Sequence, residues 1–244
     1  MHELKVGSLF SGIGGIELGF HSVGGFETKW FVEWEPYAQA VLKKNFPEVP
    51  VFEDIQTIDW YTMPPVDILT GGFPCQDASV ANNSGKGIKG ARTGLWKCYL
   101  EAIRILRPKF IIAENVPNLL NRGFEEVVSD LASVGYDAEW QVLPAGSFGA
   151  SHKRERLWVV AYPVRFGLEG IQSRSSEVKL QEPSSLATEI LERWQHELSE
   201  PPLLGVGDGV PCKVDRTRCL GNSVCPPVAT FVAQKIKEVE RWNE

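Results

Sequence analysis

Short apolar runs alternate with amphipathic segments along most of the chain. Apolar runs bounded by turn formers are typical of buried strands, and apolar positions at helical spacing predict helices. The predicted strands are Leu4–Phe10, Thr28–Trp34, Val51–Ile55, a run from Val66, Pro108–Val116, Ala138–Leu143 and a run ending at Ala161. The predicted helices are Ile16–Phe20, Pro36–Phe46, Leu95–Leu106, Phe124–Val134, Ser184–Leu198 and Val228–Trp242. This alternation predicts the α/β class, with an open sheet that contains parallel strands.

One of these strands delivers a cysteine to a turn. The apolar run from Val66 is followed by two glycines and then by Phe73-Pro74-Cys75-Gln76. Open α/β sheets bind ligands in the crevice outside the carboxyl ends of their strands, so Cys75 is a candidate nucleophile. Backbone N–H groups of the turn and cationic neighbours favour the thiolate form of such a residue. The alternative is a buried cysteine that packs as a small hydrophobic side chain.

A glycine-rich turn, Ser11-Gly12-Ile13-Gly14-Gly15, lies between the first strand and the first helix. It allows close approach of a ligand to the backbone, although it is not a dinucleotide-binding fingerprint and is also compatible with a simple tight turn. Glu33 ends the second strand at the distance from the glycines at which doubly wound folds place an acid on a ribose hydroxyl. The ring of Trp34 can stack on a purine or serve in packing.

A second candidate for chemistry is Glu114, which ends the strand after the cysteine strand. If the two strands are neighbours, Cys75 and Glu114 share one crevice, and a buried carboxyl with a raised pKa is suited to general acid catalysis. Alternation along the entry to the next strand predicts that Arg154 and Arg156 point to the same side, where they suit a phosphate or a base carbonyl. In the alternative, Glu114 simply forms an ion pair with a cation such as Arg154.

Two basic segments suit a phosphate backbone. The glycine-, asparagine- and serine-rich stretch 77–94 carries Lys86, Lys89 and Arg92, and a second patch contains Lys213, Arg216 and Arg218. Long loops inside compact domains are usually functional, and lysine and arginine side chains neutralise phosphates. The alternative for stretch 77–94 is an ordinary solvated surface loop.

Composition further narrows the classes of protein to which the chain can belong. With 244 residues and 43% hydrophobic content the chain can bury a full core, and its formal charge of −6 argues only mildly against a nucleic acid partner. The sequence lacks a membrane-length apolar run and a signal peptide, which predicts a cytoplasmic protein. The five cysteines are odd in number and contain no C-x-x-C pair, which argues against a disulfide framework and a zinc site. We therefore predict no metal.

Five segments taken together, in order, closely resemble the motifs of the DNA cytosine-5 methyltransferases. They are Phe10-Ser11-Gly12-Ile13-Gly14-Gly15, Gly72-Phe73-Pro74-Cys75-Gln76, Glu114-Asn115-Val116, Arg154-Glu155-Arg156 and Gly221-Asn222-Ser223-Val224. The resemblance implies a Rossmann-like S-adenosylmethionine-dependent methyltransferase sheet, in a compact form like that of phage or prophage enzymes. Residues 1–162 with 213–244 would form the catalytic, cofactor-binding domain, and 163–212 a reduced target-recognition segment.

The resemblance also implies the binding residues. The S-adenosylmethionine site would comprise Phe10, Ser11, Gly12, Ile13, Gly14, Gly15, Glu33, Trp34, Asp54, Ile55, Pro74, Leu95, Asn222 and Val224. From the sequence alone, Asp54 is equally suited to capping a helix or turn. Double-stranded DNA would contact Gln76, Ser79, Lys86, Lys89, Arg92, Lys213 and Arg216. A cognate restriction endonuclease would be a genetic partner.

The chemistry implied by the resemblance begins with a cytosine flipped out of the duplex. Cys75 would add to C6 of the base while Glu114 protonates or hydrogen-bonds N3, so that C5 can accept a methyl group. Arg154 and Arg156 would hold Glu114 and the flipped base. All four residues are therefore expected to be catalytic.

The chain departs from the family pattern at several positions. Ala78 stands where a phenylalanine is usual, His152 replaces a common glutamine, and the recognition segment is short. Two alternatives to a DNA methyltransferase stay open. One is a tRNA cytosine-5 methyltransferase, although the Cys-Phe-Thr signature of that branch is absent. The other is a non-catalytic nucleic-acid-binding relic.

Overall fold

The structure, a computed structural model, describes residues 3–74, 94–164 and 221–242. Its strands are β1 (Leu4–Leu9), β2 (Phe26–Val32), β3 (Val51–Phe52), β4 (Ile68–Gly71), β5 (Phe110–Asn115), β6 (Tyr136–Pro144) and β7 (Glu155–Pro163). Its helices are α1 (Gly15–Val23), α2 (Pro36–Asn45), α3 (Gly94–Leu106), α4 (Phe124–Ser133) and α5 (Pro226–Trp242). The α/β class predicted from the alternation is confirmed.

The strands form one sheet in the order β3-β2-β1-β4-β5-β7-β6. The first five are parallel, whereas β7 pairs antiparallel with both β5 and β6. From β1 the chain builds outward to β2 and β3, and then returns to place β4 on the other side of β1. This reversal creates a crevice outside the carboxyl ends of β1 and β4, the position at which open α/β sheets bind ligands.

The predicted adjacency of the cysteine strand and the glutamate strand is confirmed. Strand β4 pairs parallel with β5, with Gly71 opposite Ala113, and every residue of both strands is buried. Helix α3 connects them, as expected for a crossover between parallel neighbours. The chain segments that follow β4 and β5 therefore leave the sheet at the same edge.

Two hydrophobic clusters cover the two faces of the sheet. One joins the sheet to α3 and α4 through residues such as Trp96, Tyr99 and Leu131. The other joins it to α1 and α5 through residues such as Phe20 and Val232. In the part of the chain that the structure describes, the sheet is therefore the middle of three layers, and its strand ends are available to a ligand.

Helices α1 and α5 pack closely because α1 presents two glycines to the end of the chain. A Cβ atom on Gly15 would lie 2.6 Å from the Val224 carbonyl oxygen, and one on Gly19 would lie 2.6 Å from the Ala229 Cβ. A hydrogen bond of 3.0 Å between the Ser22 and Thr230 hydroxyls joins the same pair of helices. The C-terminal helix is thereby fixed to the helix that follows the glycine turn.

Strand β2 ends at Val32, two residues before the predicted end at Trp34. The Glu33 carboxylate accepts a hydrogen bond from the Glu35 backbone N–H at 2.8 Å. This bond turns the chain toward Pro36, the first residue of α2.

Among the described residues, no helix has both the length and the hydropathy to span a membrane.

Helix α1 also carries a buried carboxyl group. Glu17 is 2% exposed, and its Oε1 accepts a hydrogen bond from Thr70 Oγ1 at 3.1 Å. Its Oε2 has no hydrogen-bond partner among the described residues. Burial raises the pKa of Glu17, against the opposing effect of hydrogen bonds that include those from Ser8 and Thr70.

We expect Glu17→Gln to stabilise the protein at pH 8 and to change its stability little at pH 4. Burial raises the pKa of Glu17 in the folded state above that of a solvated glutamate, so wild-type stability falls as pH rises from the lower pKa toward the higher one. Glutamine does not ionise and avoids the penalty for a poorly solvated group, on the order of 1–3 kcal/mol. Thermal unfolding at both pH values checks this, and a Tm difference independent of pH would contradict it.

Candidate active site

A cavity of about 780 Å³ lies at the carboxyl ends of β1, β2, β4 and β5. Its lining combines carboxylates, backbone amides and aromatic rings from these strand ends. It includes nine of the predicted cofactor residues: Phe10, Gly12, Glu33, Trp34, Asp54, Ile55, Pro74, Leu95 and Asn222. It also includes the predicted catalytic residues Glu114 and Arg156. One continuous space therefore joins the two groups of residues that the sequence suggested.

The glycine turn and Glu33 form one side of the cavity. Gly12 N–H donates to Glu33 Oε2 at 2.7 Å, so the carboxylate bridges the turn and the start of the connection to α2. Burial raises the pKa of Glu33, and hydrogen bonds from the Glu35 and Gly12 amides oppose this. Phe10 has a positive φ of 51°, a strained conformation that is typical of residues at functional sites.

An aromatic ring and an aspartate lie farther along the same side. Trp34 is 67% exposed although it lines the cavity, so its ring is available to stack on a planar ligand. Asp54 lines the cavity and also caps the short 3-10 helix Ile55–Thr57, where its side chain accepts from Gln56 N–H at 2.9 Å. The two predicted roles of Asp54, capping and proximity to a ligand, are thus compatible.

Five predicted cofactor residues are not among those that line the cavity, and they lie in the glycine turn or in the C-terminal segment that packs against it. The Ser11 hydroxyl bonds with the Ser8 hydroxyl at 2.9 Å. Gly14 is the N-cap of α1 and has a φ of 85°. A residue with a Cβ atom adopts this backbone conformation only with strain. Gly15 and Val224 pack against one another. Ile13 precedes Gly14 in the turn that leads into α1.

Glu114 forms the opposite side of the cavity, at the end of β5. It is 8% exposed, and Arg156 Nε lies 3.0 Å from its Oε1. The N–H is not directed at this oxygen, so the contact is an ion pair and not a well-aligned hydrogen bond. Burial raises the pKa of Glu114 to about 7, with Arg156 and then Arg154 acting in the opposite direction. The carboxyl can therefore carry a proton near neutral pH.

Gly72 allows Glu114 to occupy this position. A Cβ atom at residue 72 would lie 3.0 Å from Glu114 Oε2. Gly72, the residue that follows β4, therefore leaves room for the carboxyl to approach closely, in addition to any flexibility that it gives the turn.

The two arginines of the basic segment do not act together as the alternation predicted. Glu114 pairs with Trp158 across β5 and β7, which places Arg156 diagonally within reach of it on the same face. Arg154 precedes β7 and has a φ of 28°, so the alternation does not extend to it. Its guanidinium donates to the Gly221 carbonyl at 2.7 Å and to the Ser223 carbonyl. The alternative in which Glu114 forms its ion pair with Arg154 is not observed, because Arg156 is the cation that pairs with Glu114. The joint role of the two arginines in holding Glu114 and a flipped base stays a prediction.

Asn115 is a site residue that the sequence reasoning quoted in a motif but did not assign. Its side-chain amide donates to the Phe73 carbonyl at 3.0 Å, and its Oδ1 accepts from Val116 N–H at 2.8 Å. It thereby fixes the backbone two residues before Cys75. Other cavity residues that were not assigned are Val32, Glu35, Ala38, Glu53, Gln56, Gly72, Phe73 and Val116. Most of them are next in the sequence to an assigned residue, and this proximity is the sequence signal that could have identified them.

Several predicted residues lie outside the described part of the chain. They are Cys75, Gln76, Ser79, Lys86, Lys89, Arg92, Lys213 and Arg216. Pro74, the last described residue before Cys75, lines the cavity.

Solved structures with the same fold identify the class. A candidate DNA modification methyltransferase encoded within an E. coli prophage matches with a TM-score of 0.55 at 28% identity, over 67% of this chain and 47% of that chain. A mutant of Spodoptera frugiperda DNMT2 matches with a TM-score of 0.58 at 23% identity, over 72% and 54%. The protein has the Rossmann-like fold of the S-adenosylmethionine-dependent C5 methyltransferases.

The sequence itself defines the family. A model described as C-5 cytosine-specific DNA methylase matches residues 4–200, and the chain belongs to this family. The resemblance predicted from the five motifs is confirmed.

Curated relatives match about two thirds of the chain. The Type II methyltransferase M2.BsuMI of Bacillus subtilis (strain 168) is 43% identical over 166 residues, which is 65% of this chain and 42% of the relative. The orphan methyltransferase M.SPRI of Bacillus phage SPR is 35% identical over 167 residues, 66% of this chain and 38% of the relative. The matches thus span about half or less of the length of these relatives.

Proposed function

We propose that this protein transfers a methyl group from S-adenosylmethionine to C5 of cytosine in DNA, through a covalent bond between Cys75 and C6 of a flipped base. The observation that carries the proposal is Glu114, a buried carboxyl with a pKa of about 7. It lines the same cavity as the glycine turn, Glu33 and Trp34. An acid that is protonated near neutral pH, facing a nucleoside-type site, suits catalysis on a heterocyclic base.

The cavity residues fit S-adenosylmethionine. The carboxylate of Glu33 is suited to ribose hydroxyls, the exposed ring of Trp34 to adenine, and Asp54 to the exocyclic amine. Asn222 lines the same space from the far end of the chain. When bound, S-adenosylmethionine supplies a methyl group on a positively charged sulfur, which makes that group electrophilic.

The chain's own residues would activate the base. A cytosine in duplex DNA is stacked, so it must leave the helix before its ring can be attacked. The Cys75 thiolate then forms a bond to C6 while Glu114 donates its proton to N3, which makes the former double-bond electrons available at C5. After C5 is methylated, loss of its proton re-forms the double bond and expels the thiolate. Asn115 positions the segment that carries the cysteine through the Phe73 carbonyl.

The partners and the domain organisation form part of the same proposal. Residues 1–162 with 213–244 would bind the cofactor and perform the chemistry, and 163–212 would contact double-stranded DNA in the cytoplasm. The names of the Type II relatives support a cognate restriction endonuclease as a genetic partner. The packing of α5 against α1 supports the assignment of both chain ends to one domain.

The test is a methyl-transfer assay with nucleoside analysis. The protein is incubated with labelled S-adenosylmethionine and either unmethylated genomic DNA or tRNA, and digested nucleosides are separated by mass spectrometry. We expect label in 5-methyldeoxycytidine, and none with a Cys75→Ser variant. Label only in tRNA would favour the RNA alternative. Cofactor binding with transfer to neither substrate would favour the non-catalytic relic.

A further inference from the structure

Arg154 joins β7 to the C-terminal segment of the chain. Its guanidinium donates two hydrogen bonds to main-chain carbonyls, those of Gly221 and Ser223. These two residues flank Asn222, which lines the cavity. Because one planar guanidinium binds both carbonyls, it defines the path of the backbone that presents Asn222.

This arrangement is maintained against two unfavourable contributions. Arg154 has a φ of 28°, a backbone conformation that side chains other than glycine rarely adopt. Its Nε is buried without a hydrogen-bond partner among the described residues, and burial lowers the pKa of the guanidinium. Strain of this kind persists only where the surrounding structure requires it, and it concentrates at functional sites.

The same segment is fixed from the other side by α1. The Val224 carbonyl lies so close to Gly15 that a Cβ there would be 2.6 Å from its oxygen. Residues 221–224 are therefore held between the arginine and the helix that follows the glycine turn. Movement of Arg154 would release its hydrogen bonds to this segment.

The contacts of Arg154 differ from those of Arg156. Arg156 pairs with Glu114, the acid proposed to act on the base. Among the residues that the structure describes, Arg154 acts on Glu114 through its charge, and its hydrogen bonds go to the segment that carries Asn222. The two arginines therefore serve different halves of the cavity.

We propose that Arg154 is a positioning residue for the cofactor half of the site, which acts by holding residues 221–223 so that Asn222 closes the cavity. This inference rests on the proposed function only for the identity of the cofactor. It assigns Arg154 to cofactor affinity, and leaves contact with Glu114 to Arg156.

The test measures binding of S-adenosylhomocysteine in the absence of DNA, by isothermal titration calorimetry. For Arg154→Ala we expect affinity to fall by about tenfold or more, because hydrogen bonds from a charged donor are lost. Arg154→Lys keeps the charge but cannot span both carbonyls, and we expect a smaller loss in the same direction. Lys153→Ala is the matched control, since Lys153 is an exposed neighbouring cation paired with Glu155, and it should bind as wild type does.

A comparison with Arg156→Lys separates positioning from catalysis. We expect Arg154→Lys to raise the KM for S-adenosylmethionine more than it lowers kcat, and Arg156→Lys to act mainly on kcat. Arg154 variants that bind S-adenosylhomocysteine like wild type would overturn the proposal, as would a wild-type protein that does not bind it. Normal wild-type binding without methyl transfer would refute the proposed function and leave this inference standing.

Discussion

Glu114→Gln is expected to slow methyl transfer by about 10²- to 10⁴-fold, the range that a positioned general acid contributes. Glutamine fills nearly the same volume beside Arg156 and Gly72 but cannot donate a proton to N3 of the base. The fold and cofactor affinity should be retained, because Glu114 faces the cavity and its nearest partner is the Arg156 side chain. Single-turnover rates on a methylatable DNA substrate measure the effect.

The pH dependence of this variant gives a second readout. Burial sets the pKa of Glu114 near 7, so its active protonated form is lost as pH rises through that value. The ratio of wild-type to Glu114→Gln rates cancels the titration of the cysteine, and we expect it to decline as pH rises through about 7. The exposed Glu125→Gln, from the start of α4, is the control and should behave as wild type does. A ratio that does not vary with pH would count against Glu114 as the acid.

Glu33→Ala is expected to weaken S-adenosylmethionine binding by about 100-fold, since hydrogen bonds to a charged group contribute about 1.5–3 kcal/mol each. The carboxylate holds the Gly12 and Glu35 amides at 2.7 and 2.8 Å. Its removal loosens the glycine turn and also deletes the acceptor proposed for the ribose hydroxyls. Equilibrium binding of S-adenosylhomocysteine measures this loss.

A glutamate near the start of β2 provides the control for Glu33, which follows the end of that strand. Glu27 is exposed and forms an ion pair with Lys29, so Glu27→Ala removes a similar charge far from the cavity. It should leave cofactor affinity unchanged. Equal losses for both variants would show that net charge, and not the Glu33 contacts, determines the affinity.

The parts of the site that were predictable follow from periodicity and topology. A short apolar run bounded by turn formers predicts a buried strand, and strand-helix-strand order predicts that the two strands are parallel neighbours. These two rules predicted that β4 and β5 are neighbours, which the structure confirms. Gly72 and Glu114 accordingly lie at one edge of the sheet, where a Cβ atom on Gly72 would be 3.0 Å from Glu114 Oε2. Cys75, for which the prediction was made, lies outside the described residues. The spacing from the glycine turn to Glu33 correctly predicted that the two lie together, because each follows the end of a neighbouring parallel strand.

The parts that were not predictable depend on single dihedral angles and on distant contacts. The φ of 28° at Arg154 breaks the alternation of the strand, and a propensity rule for arginine does not anticipate it. Its partners Gly221 and Ser223 lie 67 and 69 positions away in the sequence. The bond from Asn115 to Phe73 likewise requires β4 and β5 to be docked before it can form. Local pattern contains no information on such contacts.

The most direct measurement of the central claim is covalent trapping on DNA that contains 5-fluorocytosine. The fluorine at C5 cannot be lost as a proton is, so the bond between the thiolate and C6 persists after methylation. DNA is copied from a genomic template with 5-fluorodeoxycytidine triphosphate, so that many target sequences are present, and is incubated with the protein and S-adenosylmethionine. We predict a cofactor-dependent adduct that peptide mass spectrometry maps to Cys75 and that is absent from Cys75→Ser. A wild-type protein that methylates ordinary DNA but forms no adduct at Cys75 would contradict the account.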